Sequence, residues 1–206
     1  MKNFLNINSP IMRFLGKVAD LMILNALTLV CSLPILTAGC AVTAMHTVVL
    51  KIHREEEPSI AKEFFAAFKQ NLKPATWLWL VYLFFGVLCL LDCYYVFWSG
   101  VEFQMGFQIL FFVMAAVFVL SITWGFVLVS RYDVGLRQTL INTCLLSVSY
   151  PVKTVGMALL WMAPWYLLYA YPPLIPVILL LGLSLPARVE ASVFSEVFQK
   201  LEEQKK

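Results

Sequence analysis

His46 is the residue in this 206-residue chain with the most chemical promise. It lies in the apolar stretch "TAGCAVTAMHTVVL". An imidazole costs free energy to bury unless it is paired or has a task. Gly39, Thr43 and Thr47 recur every four residues on the same segment. On a helix they form a stripe of small side chains that lets a neighbour approach closely. His46 falls beside that stripe, so it is expected to face protein rather than lipid. Its roles are then a functional ionisable group or a neutral ring hydrogen-bonded to a carbonyl. Asp92 is a second ionisable residue in an apolar run. It is a site residue or, the reading we prefer, a side chain that reaches the membrane interface. Asn25 is read as an interhelical hydrogen-bond donor and acceptor. Cys89 and Cys93 are one helical turn apart, a spacing open to a metal. Asp92 points to another face, however, and no histidine joins them. All five cysteines (Cys31, Cys40, Cys89, Cys93, Cys144) sit in apolar runs and read as small buried side chains. HExxH, GxSxG, P-loop and GxGxxG patterns are absent. No catalytic set, cofactor or metal site is therefore expected, and the chain is not read as an enzyme.

The setting for these residues follows from composition. Hydrophobic residues make up 61% of the chain and charged residues 13%. Soluble domains carry about 45–50% and about 25%. Lipid is the natural solvent for such a chain. The net charge of +3 is small, and no basic stripe interleaved with aromatics supports nucleic-acid binding. Lys2, Arg13, Lys17 and Asp20 interrupt any signal-peptide core, so the first apolar run is expected to remain as an anchor.

Residues 1–206 read as one all-α, polytopic integral membrane bundle. Six spans are expected, at 18–33, 36–50, 74–98, 107–130, 152–170 and 173–186. Ser9 and Pro10 read as the start of the first helix. Two amphipathic helices, at 59–72 and 134–150, are expected on the cytoplasmic side. The first places Phe64, Phe65 and Phe68 on one face, with Lys62, Lys69 and Gln70 elsewhere. Such a helix lies in the membrane interface or packs on other protein segments. The second places Leu140, Ile141, Cys144, Leu145 and Val148 together. A half-buried tail helix at 187–203 follows from Val189, Val193, Val197 and Leu201. Arg188 and Glu190 are expected to pair with each other. Span, amphipathic helix and span occur twice, with Lys73 and Lys153 in equivalent places, which is the pattern of an internal repeat.

Residues 21–50 decide the number of spans. One helix of 30 residues would be about 45 Å long, against a hydrocarbon core of about 30 Å. Pro34 and Gly39 would lie near its middle. A turn at "SLPILTAG" gives two spans instead, the second only about 22 Å long at 15 residues. Charge favours the turn. Twelve of the 15 basic residues lie in segments 51–73 and 131–153 and in the tail. The short links near 100–106 and 171–173 carry none. With the turn, all 15 share the side where basic residues collect, the cytoplasm, and so do both termini. Five spans with the N-terminus outside is the runner-up. Tyr94, Tyr95, Trp98, Trp165, Tyr166, Tyr169 and Tyr171 collect at the opposite boundary, as interfacial aromatics do.

The apolar span leading into "SLPILTAGCAVTAM", the basic loop, "FFAAFKQNLKPAT" and the ending "SLPARVEASVFSEVF" resemble the YesL-like bacterial membrane proteins, a family defined by domain of unknown function 624. The resemblance runs over nearly the whole chain. It implies a bacterial cytoplasmic membrane protein connected with carbohydrate uptake, and it supplies no site residues. The expectation is an accessory or regulatory component working with carbohydrate ABC transporter subunits, with Phe64, Phe65 and Phe68 as a docking face. The alternative is a small independent transporter or channel, in which His46 and the Pro-interrupted spans would matter.

Overall fold

A computed structural model describes residues 10–56, 59–98, 105–132 and 134–203. The Ser9 cap and the polar link at 101–104 lie outside the described residues. All regular structure among the described residues is helical.

Helix α1 (Pro10–Ser32) starts with proline, whose missing N–H costs nothing at a first helical position. At 23 residues it is longer than the span at 18–33 expected from the sequence. It stops at Leu33–Pro34, where proline removes a helical donor. A single 3₁₀ turn over Ile35–Thr37 follows, and α2 (Ala38–His53) runs back beside α1. Residues 21–50 are therefore two helices in a hairpin. The carbonyls freed at the break find donors. Thr37 Oγ1 donates to Cys31 O at 2.8 Å, and Trp79 Nε1 donates to Ile35 O at 2.6 Å. Inside a membrane such groups must be satisfied by protein.

The second span has two remedies for its short apolar length. The helix continues to His53, and eleven of its 16 residues are buried by other protein segments. Helices α1, α3 (Ile60–Gln70), α4 (Leu72–Trp98), α5 (Met105–Arg131) and α9 (Ser184–Glu203) all touch α2. Its small residues at Ala38, Gly39, Cys40, Ala41 and Ala44 make room for so many neighbours.

Ser59 occupies the N-cap of α3 but makes no side-chain cap bond. α3 folds back on α2 and α1, the protein-packed alternative for this segment. α6 (Leu136–Ser149) likewise folds back on α5. The apolar face expected for α6 is not the face it buries. Thr139, Thr143, Leu146 and Ser147 are buried, while Ile141, Cys144, Leu145 and Val148 lie outside. Cys144 is thus an exposed thiol rather than a buried one. α7 (Pro151–Ala170) leaves α6 at a bend of 104°.

The last two elements differ from the expected division at Pro186. α8 (Ile175–Leu181) ends at Gly182, and α9 begins at Ser184 after a bend of 52°. Gly182 is packed on the Ile178 backbone with no space for a side chain. Pro186 sits in the first turn of α9, where its missing donor is harmless. The buried face of α9 is Ala187, Glu190, Ala191, Phe194, Val197 and Phe198. Val189, placed by sequence on the buried face, is 53% exposed. Large side chains at 194 and 198 and small ones at 187 and 191 rotate the helix from its valine stripe.

Four helices, α1, α2 with its preceding turn, α4 and α5, are each long and apolar enough to cross a membrane. Counting each bent pair, α6–α7 and α8–α9, as one span gives up to six. The chain is a multi-pass helical membrane protein.

Candidate functional site

The core around α2 is where chemistry-bearing side chains meet. His46 is 3% exposed. It points between Trp161 of α7 and Phe194 of α9, with ring centroids 6.1 and 6.0 Å away. Phe194 stands edge-on to Trp124 of α5 at 5.3 Å. Trp124 Nε1 donates to Thr154 Oγ1 at 2.9 Å, and Thr154 donates to Tyr150 O at 2.8 Å. Three helices are thereby fixed around one histidine by rings that carry a polar edge.

Glu190 is the cluster's other ionisable member. It is buried on α9 and accepts a hydrogen bond from Trp161 Nε1 at 2.8 Å through Oε2. Its Oε1 has no partner among the described residues. The sequence-based pairing with Arg188 does not form. Arg188 is instead 2.8 Å from His53 Nδ1. Two residues apart on a helix point to different faces, and here one faces the core and the other faces α2. Chemically, a carboxyl with one oxygen held by an indole and the other open can carry a proton or meet a cation.

Asn25 braces the bend between α8 and α9. Its Nδ2 donates to Leu179 O at 2.7 Å, and its Oδ1 accepts from Leu183 N and Ser184 N at 2.8 and 3.0 Å. A break in a helix leaves such backbone groups without helical partners, and one amide satisfies three of them.

The stripe on α2 serves packing. A Cβ on Gly39 would collide with Trp79 and meet Phe126 at 3.0 Å, so α4 and α5 close on this glycine. Thr43 and Thr47 donate to Gly39 O and Thr43 O at 2.8 and 3.1 Å. Gly125 on α5 takes the Tyr82 ring in the same way. Asp92 stands apart, exposed on α4. Among the described residues no three His, Cys, Asp or Glu side chains converge as a metal site would require.

The three phenylalanines of α3 do not share one environment. Phe64 is fully buried, Phe68 is partly buried with its carbonyl accepting from Cys40 Sγ at 3.0 Å, and Phe65 is 45% exposed. Phe65 is the only one of the three with a substantial surface to offer.

Sequence reasoning placed Glu190 only in a pair with Arg188, and it did not single out Trp161, Trp124 or Thr154. Their helical spacing carries no motif, since they come from three elements distant in the chain. An acidic residue four positions before Phe194 was the one available signal.

A model of the family described as "Protein of unknown function, DUF624" matches residues 21–93, which run from α1 through most of α4. No curated protein matches the chain, and no solved structure does.

Proposed function

From the premise that this chain is a DUF624 family protein, we propose that it is an accessory or regulatory component of a carbohydrate (ABC-type) uptake system. Its place would be the bacterial cytoplasmic membrane, with both termini in the cytoplasm, as the distribution of basic residues favours. The observation that carries the reading is the arm made by α4 and α5. No described residue from Leu83 to Tyr95, or from Met105 to Leu120, is buried. The two helices there meet mainly each other, through Gly86 and Phe118 and through Phe85 and Phe118. Their remaining surface is apolar and aromatic, and spans of a second membrane protein could use it for close packing. The base of the bundle is filled by Leu24, Met45, Trp124, Phe194 and Phe198. The carbohydrate connection rests on the YesL-like resemblance and not on geometry. No catalytic step is assigned.

The test is purification from native membranes in mild detergent, with identification of what comes along. A sugar ABC permease recovered in fixed ratio, and lost when Phe84 and Phe112 on the arm are changed to Ala, supports the reading. Recovery of the chain alone as a defined oligomer counts against it.

A second reading is a small independent transporter or channel. It is favoured by the buried Glu190, Trp161 and His46 cluster, since intramembrane ionisable groups mark solute and proton paths. Vesicles containing the purified chain that show no solute or proton flux would remove it.

A further inference from the structure

A carboxyl with an unused oxygen is buried in the core of the bundle. Glu190 on α9 is 1% exposed, and its Oε1 has no hydrogen-bond partner among the described residues. Its Oε2 is fixed by Trp161 Nε1 at 2.8 Å. Trp161 is also the ring beside His46, at 6.1 Å between centroids. His46 is 3% exposed and makes no hydrogen bond among the described residues. Two titratable side chains with open polar atoms thus flank one indole. The hydroxyl of Thr154 is already engaged, accepting from Trp124 and donating to Tyr150 O. Charged groups on the surrounding elements are engaged elsewhere. On α9, Arg188 meets His53 of α2 at 2.8 Å, and Glu196 meets Lys153 of α7 and its own Lys200 at 2.8 and 2.9 Å. Lys51 of α2 meets Glu63. Arg131 of α5 lies over Phe198, about two turns along α9 from Glu190. α1 reaches α9 through the amide of Asn25. His46 is the titratable group that shares a contact with Glu190.

A buried polar atom without a partner is rare, and it points to a role beyond packing. A bare carboxylate here would be a buried charge with a single hydrogen bond, a costly arrangement. The surrounding rings of His46, Trp161, Phe194 and Trp124 stand 5.3–6.1 Å apart, the separation of aromatic rings in contact. That packing leaves no room for a hydrated cation. Calcium or magnesium would also gather about six oxygens. A proton needs neither room nor further ligands, and the open Oε1 is where it can sit.

We propose that Glu190 is an exchangeable proton-binding site, with the proton on Oε1 and the His46 imidazole as the neighbouring acceptor that receives and returns it. Only a proton moves. The carboxyl O–H bond breaks as an imidazole N–H bond forms, giving a carboxylate and an imidazolium, and the reverse step restores both neutral groups. The proposal deepens the transporter reading and rests on it for the use of the proton, not for its binding. The full chain in phosphatidylcholine nanodiscs is measured by infrared difference spectroscopy at about pH 7, where exposed carboxyls are ionised. Spectra are taken in water and after transfer to heavy water. The expected result is a protonated-carboxyl band that shifts on transfer. Glu190→Gln removes it while keeping an acceptor oxygen for Trp161. Glu196→Gln, at an exposed position on the same helix, leaves it in place. Trp161→Phe keeps the carboxyl and takes away its one hydrogen bond, so the band moves in frequency; this readout holds even where Glu190→Gln folds poorly. His46→Asn slows the exchange about a hundredfold, as loss of a proton acceptor does. The proposal is overturned by an unaltered chain without the band, by a band that ignores both Glu190→Gln and Trp161→Phe, or by a band that never shifts in heavy water. Exchange unchanged in His46→Asn overturns the role given to His46. Proton flux is measured in vesicles from the same preparation. An exchanging Glu190 band without flux keeps the site and removes the transporter reading. Flux without the band does the opposite.

Discussion

Helices α3 and α6 hold similar places in the order of the chain, and they are built inside out with respect to each other. Each follows a long apolar helix and folds back on it. α3 buries Ile60, Phe64 and Ala67 and exposes Lys62, Lys69 and Gln70. α6 buries Thr139, Thr143 and Ser147 and exposes Ile141, Leu145 and Val148. The buried hydroxyls are satisfied along their own helix. Thr143 donates to Thr139 O at 2.7 Å, and Ser147 donates to Thr143 O at 2.8 Å while also reaching Leu120 O of α5 at 3.2 Å. A helix turns outward what its solvent tolerates. α3 therefore presents a polar face to its surroundings, and α6 presents a largely apolar one beside Arg137 and Gln138. The pattern shared by the two segments describes a chain path, not a common environment.

The largest expected effect breaks the comparison at its packed side. Phe64→Ala removes a fully buried ring that contacts Phe68 and the α1–α2 hairpin. It should cost about 3–5 kcal/mol, seen as a marked drop in the melting temperature of the detergent-solubilised chain. Val148→Ala, at a residue 72% exposed on α6, should change little in the same assay. Comparable losses at both sites would mean that α6 is also covered on its outer face.

A charge placed on the outer faces sharpens the contrast. Leu145→Lys, at a position 59% exposed on α6, should cost about 2.5–3.5 kcal/mol if that face meets the middle of the bilayer. Near an interface the cost would be smaller. Ala66→Lys, exposed on α3, should cost within about 0.5 kcal/mol. Yield and melting in bilayer discs rank the two. Equal tolerance would put α6 in water and undo the argument from polarity.

The helices themselves were legible in the sequence because apolar length and proline punctuation are local signals. The hairpin at Leu33–Thr37 followed from Pro34, helix length and charge. The environments of α3 and α6 were less legible, because a moment or a stripe tells which residues share a face but not which face is turned inward. A face turned to lipid and a face turned to protein carry the same apolar stripe, so Leu145 and Val148 could be grouped but not assigned inward or outward. The same limit applied to α9, where the regular valines are partly outside and Phe194 and Phe198 are in the core. Single residues in structural roles fared differently. Gly39 invited close approach by its size alone, whereas the partners of Glu190 depend on the tertiary crossing of α7 with α9.

Two smaller effects probe what holds each short helix to its neighbour. Ser147→Ala removes the hydroxyl contact between α6 and α5. Interhelical hydrogen bonds of this kind average about 0.6 kcal/mol in membranes, so a small drop in melting temperature is expected. The matching device on α3 is electrostatic and titrates. Lys51 Nζ lies 2.6 Å from Glu63 Oε2 and holds that carboxyl below its usual 4.5. A carboxyl lowered on folding stabilises above its unfolded value and loses that contribution as pH falls through the folded value. The contact between α3 and α2 should therefore weaken as pH drops below about 4.5. Glu63→Gln should remove this acid-side dependence and slightly lower stability at neutral pH. Both groups are about one-third exposed, so the effect is weak and salt reduces it. α6 carries Arg137 and no carboxylate, so Arg137→Gln should leave the pH dependence as it was. If it flattens the acid limb as Glu63→Gln does, the pH response belongs to the net charge of the chain and not to the seam between α2 and α3.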